Sequence, residues 1–417
     1  MTLQKSISSL AVGAAAAVLL ASSTAAMAET MTMWSRAAAA APAQGMIDLW
    51  NESHDDKIEL TVIPDDQVVT KLATAVQAGD VPDLMSFDLI FMPDFMKAGF
   101  LVDLTDLLQN DPNQALVANA FKDLATYDGR LYGTGFLPDV SILLWNKGLF
   151  TAAGLDPEKP PQTLDEVYEY AKKIRAIGPD TYGYYFSGNC GGCNIFTQAP
   201  SMWGSGAYLL PRDGEDKALE GPGVREMLAH LNRMWTEGLI PEGAQGDTGA
   251  NFQAIFETGK VGMQGSGNFA IAALKENHPE IDFGIAFLPG IAPENASSFV
   301  GGDLIAIPVG AKNLDAAKAF VTWVLTDEAQ LEGLAAKNTL VARTDLVEND
   351  YYKSEPRYYT TAKAVGIGQT PWVFHFNDMV NSASSPWLEM LQTAVFEGRI
   401  DEAIETARGK MLAIASE

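Results

Sequence analysis

KLATAVQAGDVPDLMSFDLIFMPDFMKAGFLVDLTDLL, residues Lys71 to Leu108, decides how the rest of this chain is read. Leu72, Ala75 and Val76 recur at helical spacing, and Ala78-Gly79-Asp80 ends that helix. Pro82-Asp83-Leu84-Met85 then starts a short apolar strand that delivers Ser86-Phe87-Asp88 at its carboxyl end. A second loop and helix follow. In an open α/β sheet, ligands sit in the crevice outside the carboxyl ends of the strands, so this tip is the first place to look for a site.

The same grammar continues on both sides. Met31 to Trp34 reads as a strand ending in Trp34-Ser35-Arg36, Ala37 to Glu52 as a helix, and Ile58 to Ile63 as a strand closing on Pro64-Asp65-Asp66-Gln67. Gly129 to Asp139 is a Gly-rich turn and strand running into the apolar Val140 to Trp145. Thr163 is placed to cap the helix Leu164 to Ile177, with Glu166 completing a capping box. Gly301-Gly302-Asp303 precedes a strand from Leu304 to Pro308, and Asp315 to Leu325 is an amphipathic helix. Alternating helices and strands favour an α/β fold with largely parallel sheets.

The N-terminus has a positive Lys5, an apolar core from Leu10 to Leu20, and Ala26-Met27-Ala28 as a cleavage site. That is the pattern of a secretory signal peptide over residues 1–28, with the mature chain starting at Glu29. The apolar run is too short for a membrane anchor. No Cys lies near the cleavage point, so no lipid anchor is expected. What remains is long enough for two lobes rather than one core. A formal net charge of −25 excludes nucleic acid and anionic membrane surfaces as partners, and otherwise speaks only to solubility.

Cys190 and Cys193 are the only two cysteines. In an oxidising compartment the expected outcome is a disulfide stapling the Gly-rich loop Gly188 to Asn194. A thioredoxin-like redox site shares the C-x-x-C spacing, but it needs a βαβ context with the first Cys at a helix N-terminus. Here the pair is expected between an aromatic strand, Tyr182 to Phe186, and a loop. A zinc site would need two more ligands, and His54, His230, His278 and His375 are scattered.

Five segments, taken in order, resemble the family-1 extracellular solute-binding proteins of carbohydrate ABC importers, the relatives of maltose-binding protein. They are the opening stretch around "AGDVPDL" and "AGFLVDLTDLL", Gly129 to Phe150, Phe256 to Ala270, Ala316 to Glu332, and Ala394 to Met411. The resemblance implies a two-lobed, type II-like periplasmic-binding-protein fold. Each lobe would be a mainly parallel sheet flanked by helices, with the ligand cleft between lobes. The first lobe would comprise residues 29–137 plus about 300–342, and the second 138–299 plus about 343–417. It also implies a periplasmic monomer without a cofactor, partnered by the transmembrane permease, and closing about its hinge on a sugar.

The site expected from the resemblance consists of Trp34, Ser35, Arg36, Asp66, Gln67, Phe87, Asp88, Asp139, Trp203, Ser266, Phe269, Gly301, Gly302, Asp303, Arg343 and Trp372. Physical chemistry supports the residue types independently. A carboxylate such as Asp88 or Asp139 accepts directed hydrogen bonds from sugar hydroxyls. Rings pack on the C–H faces of pyranoses at low entropic cost, with Phe269 standing where the family usually has Trp. Arg36 and Arg343 could clamp an anion bidentately or bind vicinal hydroxyls. Gly301-Gly302-Asp303 could offer backbone N–H groups. Trp145 and Trp235 fit core patterns, and Trp387 fits core or stacking equally. A polyol or an anionic sugar derivative, such as a glycerol-phosphate-like ligand, is the alternative cargo. A two-carboxylate glycosidase is a remote one, since its chemistry needs only two acids at suitable separation.

Overall fold

The computed structural model describes residues 28–212 and 215–417. The expected signal segment therefore lies almost wholly outside the described residues. The described residues form ten strands: β1 (Thr30–Arg36), β2 (Lys57–Ile63), β3 (Leu84–Asp88), β4 (Thr126–Tyr127), β5 (Arg130–Leu131), β6 (Gly133–Asn146), β7 (Tyr182–Tyr185), β8 (Val261–Gly267), β9 (Phe283–Ala286) and β10 (Val300–Ala306). β4 and β5 form a small hairpin; the rest share one sheet ordered β2-β1-β3-β10-β6-β8-β7, with β9 also on β6.

Two lobes meet on β6. Its first half, Gly133 to Val140, pairs with β10, and its second half, Ser141 to Asn146, pairs with β8 and β9. β1, β2, β3 and β6 run one way in the first lobe and only β10 runs against them. In the second lobe β7, β8 and β9 share a direction and β6 opposes them. The odd strand in each case is one that carries the chain between lobes.

The opening stretch folds as read. The helix Val68–Ala78 buries Val68, Leu72 and Ala75 and stops at Gly79, which takes the left-handed conformation with φ 69°. β3 follows, buried along Leu84 to Phe87, and opens at Asp88. Thr163 caps the helix Leu164–Arg175 by accepting from Glu166 N at 3.2 Å. The Glu166 carboxylate accepts from Gln162 N at 2.6 Å rather than from Thr163 N, so the expected capping box closes one residue upstream. No described helix is long and apolar enough to cross a membrane.

The structure corrects the expected setting of the cysteines. Cys190 and Cys193 are disulfide-bonded, but Cys190 is the N-cap of the helix Gly191–Gly204 rather than part of a free loop. The Cys190 sulfur accepts from Cys193 N at 3.1 Å, in the manner of a capping oxygen. The Gly-rich sequence suggested a loop because Gly is a poor helix former, yet Gly191 approaches the Val380 carbonyl so closely that a Cβ would lie 2.0 Å from it. Packing overrides propensity there.

Candidate functional site

The parallel strands β1 and β3 end side by side, and β10 lies antiparallel against β3. This places Arg36 at the tip of β1, Asp88 at the tip of β3 and Asp303 opposite Asp88. Asp139 enters from β6, opposite Gly301. A register shift between Asp303 and Leu304 inserts an extra residue on the β6 side, which re-aims this corner of the sheet. Gly302, at φ 100°, comes so close to β6 that a Cβ would lie 2.1 Å from the Leu137 carbonyl oxygen. Only glycine fits there.

The four charged groups form one cluster. Arg36 Nε donates to Asp303 Oδ1 at 2.6 Å, and Arg36 Nη1 lies 3.4 Å from Asp88 Oδ2. Asp303 is completely buried, and its second oxygen accepts from Ser86 Oγ at 2.6 Å. Burial pushes the Asp303 carboxyl up to about 6, with Arg36 and the Ser86 hydrogen bond pulling the other way. Asp139 is different. Its Oδ1 is enclosed without a hydrogen-bond partner, and no ion pair reaches its carboxylate among the described residues. Burial pushes it up to about 7, against the pull of Arg36 and with Asp88 and Asp303 adding to the rise. The same carboxylates hold the Arg36 guanidinium firmly charged against the opposing effect of burial.

Two adjoining cavities share Arg36, Asp139, Phe269 and Gly302. The outer one, about 480 Å³, is bordered by Asp303, Asn268, Lys275, Glu276, Lys337, Asn338, Thr339 and Tyr358. The inner one, about 250 Å³, holds Asp88, Gly301, Phe196, Phe252, Phe299, Phe376, Asn381, Gly192 and Cys193. Phe269 is 40% exposed and stacks on Phe196 with ring centroids 6.4 Å apart. Its ring is therefore available to a ligand. The disulfide-capped end of the helix Gly191–Gly204 forms part of the inner wall.

Of the residues expected from sequence, Arg36, Asp88, Asp139, Phe269, Gly301, Gly302 and Asp303 are brought together here. The others are placed elsewhere, for readable reasons. Phe87 alternates to the opposite face of β3 from Asp88 and is fully buried against Phe95, centroids 4.9 Å apart. Ser35 is buried, its hydroxyl on the Arg36 carbonyl, and Ser266 is buried on β8 with an unpartnered hydroxyl. Trp34 sits beneath the Lys71 ammonium, 5.6 Å from the ring centre. Asp66 and Gln67 lie exposed on the short turn Asp65–Gln67. Trp203 and Trp372 line a separate cavity of about 120 Å³; Trp203 donates to Ser297 Oγ and Trp372 stacks on Tyr127.

Arg343 is a structural ion pair. It is buried, bonded to Asp327 at 2.6 Å, to Asp345 through Nε and Nη2, and to the Leu325 carbonyl. Trp387 and Trp145 are core residues, and Trp235 is half-buried with its edge on Phe396.

Sequence reasoning missed Phe196, Phe252, Phe299, Phe376 and Asn381. A signal existed for Phe299, which immediately precedes Val300-Gly301-Gly302-Asp303 and shares their strand path. Phe196 lies three residues beyond Cys193, on the helix that the disulfide caps. Nothing local distinguishes a cleft Phe from a core Phe.

The arrangement is that of a two-lobed binding protein with a ring-lined cleft between the lobes. The chain belongs to the bacterial extracellular solute-binding protein family, whose model matches residues 34–331. It is 25% identical over 376 residues to the galactooligosaccharide-binding protein of Bacillus subtilis (strain 168), covering 87% of this chain and 85% of that one. Its fold is similar to that of the cyclic alpha-maltosyl-1,6-maltose binding protein from Arthrobacter globiformis, with a TM-score of 0.81 at 22% identity, over 93% of this chain and 99% of that one. The sugar-binding protein MalE from Xanthomonas citri gives a TM-score of 0.80 at 21% identity, over 93% and 97% of the two chains. The family is one of solute binders and not of enzymes. Among the described residues, no group of three or more His, Cys, Asp or Glu is placed to hold a metal ion.

Proposed function

We propose that this protein is the periplasmic sugar-binding component of an ABC importer, holding a mono- or oligosaccharide in the interlobe cleft and delivering it to the transmembrane permease. The observation that carries this reading is the Asp139 carboxylate, half-buried on the wall of both cavities and without an ion-pair partner among the described residues, beside the exposed ring of Phe269. A hydrogen bond to a charged group contributes about 1.5–3 kcal/mol, so a ligand hydroxyl or amine reaching this carboxylate from the cleft gains affinity. The names of the relatives, sugar binders among them, support the substrate class. Arg36, Asp88, Asp139, Phe269, Gly301, Gly302 and Asp303 are the ligand-facing set, joined by Phe196, Phe252, Phe299, Phe376 and Asn381.

The lobes comprise residues 29–137 with about 300–342, and 138–299 with about 343–417, hinged where β6 and β10 cross. Ligand contacts both lobes, excludes water and shifts the population towards a closed form, which docks on the permease. The protein acts as a monomer, without nucleic acid, and is exported by a signal peptide cleaved before Glu29. An anionic sugar derivative is disfavoured because Arg36 is already engaged by Asp303 and Asp88 and Arg343 lies in its own ion pair. The test is a thermal-shift screen of the mature protein against neutral, amine-bearing and acidic sugars and polyols, followed by small-angle scattering. A ligand at a hundred times its dissociation constant stabilises by roughly 2.7 kcal/mol. A hit with compaction is expected; a proven ligand without compaction would overturn hinge closure, and hits among acidic sugars alone would overturn the neutral-to-basic assignment. Sequencing of the exported N-terminus should begin at Glu29.

A further inference from the structure

The charged cluster where the two cavities meet has a balance that a neutral ligand would not complete. Three carboxylates, Asp88, Asp139 and Asp303, gather around one guanidinium. That guanidinium is engaged by Asp303 at 2.6 Å and faces Asp88 at 3.4 Å. Ser86 satisfies the other oxygen of Asp303. Asp139 is left with one oxygen enclosed and no cation or donor of its own. Around it the wall is formed by Phe196, Phe252, Phe269, Phe299 and Phe376. Phenylalanine brings a negative ring face but no hydroxyl or N–H to share with sugar oxygens. Rings of this kind beside an uncompensated carboxylate are the surroundings that favour an organic cation. Anions are repelled by the same excess of carboxylates.

We propose that the inner end of the cleft recognises a positively charged nitrogen on its ligand, so that the cargo is an amine-bearing sugar. The proposal rests on the sugar reading above, and it narrows that reading to one class. An ammonium in the cleft meets the carboxylate of Asp139, a half-buried residue that lines both cavities, in a charge-assisted hydrogen bond and lies against the phenylalanine faces. The opposite wall fits the rest of a carbohydrate. Gly192 stands in the first turn of the helix Gly191–Gly204, and its N–H, together with the Asn381 amide, suits hydroxyl and ring oxygens, the Cys193 N–H being taken by the Cys190 sulfur. A simple alkylammonium would leave those donors unused.

Isothermal titration of the mature, disulfide-intact protein tests this with matched sets. The probes are hexosamines and hexosamine disaccharides of several linkages, their N-acetylated forms, their hydroxyl counterparts, and two sugar-free cations, spermidine and choline. At least one free-amine sugar should bind about tenfold or more tightly than both its N-acetyl and hydroxyl counterparts. That preference should shrink with added salt and vanish in Asp139→Asn. If a neutral or acidic sugar binds and its amine analogue is equal or weaker, the proposal is overturned and the sugar reading stands. Binding of spermidine or choline with every sugar silent would keep the cation site and overturn the sugar reading. Silence from every cationic probe counts against the proposal. The wild-type comparison of amine with N-acetyl needs no variant, so misfolding of Asp139→Asn cannot mask the answer.

Discussion

Arg36 and Arg343 are each surrounded by aspartates, and the two clusters do different work. Arg343 is saturated: it makes two ion pairs and a bond to the Leu325 carbonyl, and its partners Asp327 and Asp345 keep contact with solvent. Burial of the cation there is matched by acids that were never taken fully out of water. Arg36 faces three acids, one completely buried and one with an oxygen enclosed and unmatched. A structural cluster closes its own hydrogen bonds, whereas this one leaves an unpaired carboxylate on the cleft wall. Residue types alone do not separate the two; the unpaired atom does.

The strongest way to break the comparison is Arg36→Met. It strands Asp303 as a buried charge beneath the sheet, so denaturant unfolding should show a loss of about 3–5 kcal/mol, together with loss of ligand binding. A loss under about 1 kcal/mol would mean that the pair is not energetically buried. Asp139→Asn should act in the opposite sense. Affinity falls by about 1.5–3 kcal/mol in titration calorimetry, while the unliganded protein keeps or gains stability because a burdened charge is removed. Gly301→Ala probes the same carboxylate, since the new Cβ would lie 2.2 Å from Asp139 Oδ1 and must turn it aside. A loss of affinity with modest change in melting temperature is expected. Arg343→Met should cost about 1–3 kcal/mol of stability with ligand affinity unchanged; a large affinity change would move Arg343 into the site.

The smallest effect is in pH. Asp139 and Asp303 have folded values raised to about 7 and about 6 from an ordinary 3.8. The folded state therefore holds these protons more tightly than the unfolded chain. Their contribution to stability is fully present below about pH 3.8 and is lost as pH rises towards 7. The melting temperature of the unliganded wild type should fall between pH 5 and pH 7.5 relative to Asp139→Asn. If the two proteins run parallel across that range, Asp139 does not titrate there.

The helix Val68–Ala78, its stop at Gly79 and the strand ending at Asp88 were legible from residues alone, because local spacing and chain-breaking residues act over a few positions. Asp88, Asp139, Gly301, Gly302 and Asp303 were legible through resemblance, although only Asp88 ends a strand; Asp139 lies inside β6 and Gly301 to Asp303 inside β10, where the sequence suggested turns. Phe87 was misplaced by a single residue of strand alternation. Trp203, Trp372 and Arg343 were misplaced because a half-apolar ring or a guanidinium next to a turn is compatible with many surroundings. The helical start at Cys190 was hidden because two glycines argue against a helix locally, and a close backbone contact 190 residues away argues for it.

By itself, then, the sequence determined the class of fold, the order of strands and helices, the expectation of a disulfide staple, and the residue types from which a site could be built. These follow from periodicity, capping and turn chemistry, which are short-range. Tertiary structure alone decided that Arg36 is neutralised from β10, 267 residues away, that five phenylalanines meet at one end of the cleft, and that Asp139 is the acid left without a partner. Burial and pairing are sums over the whole surroundings of an atom, and no window of sequence contains them.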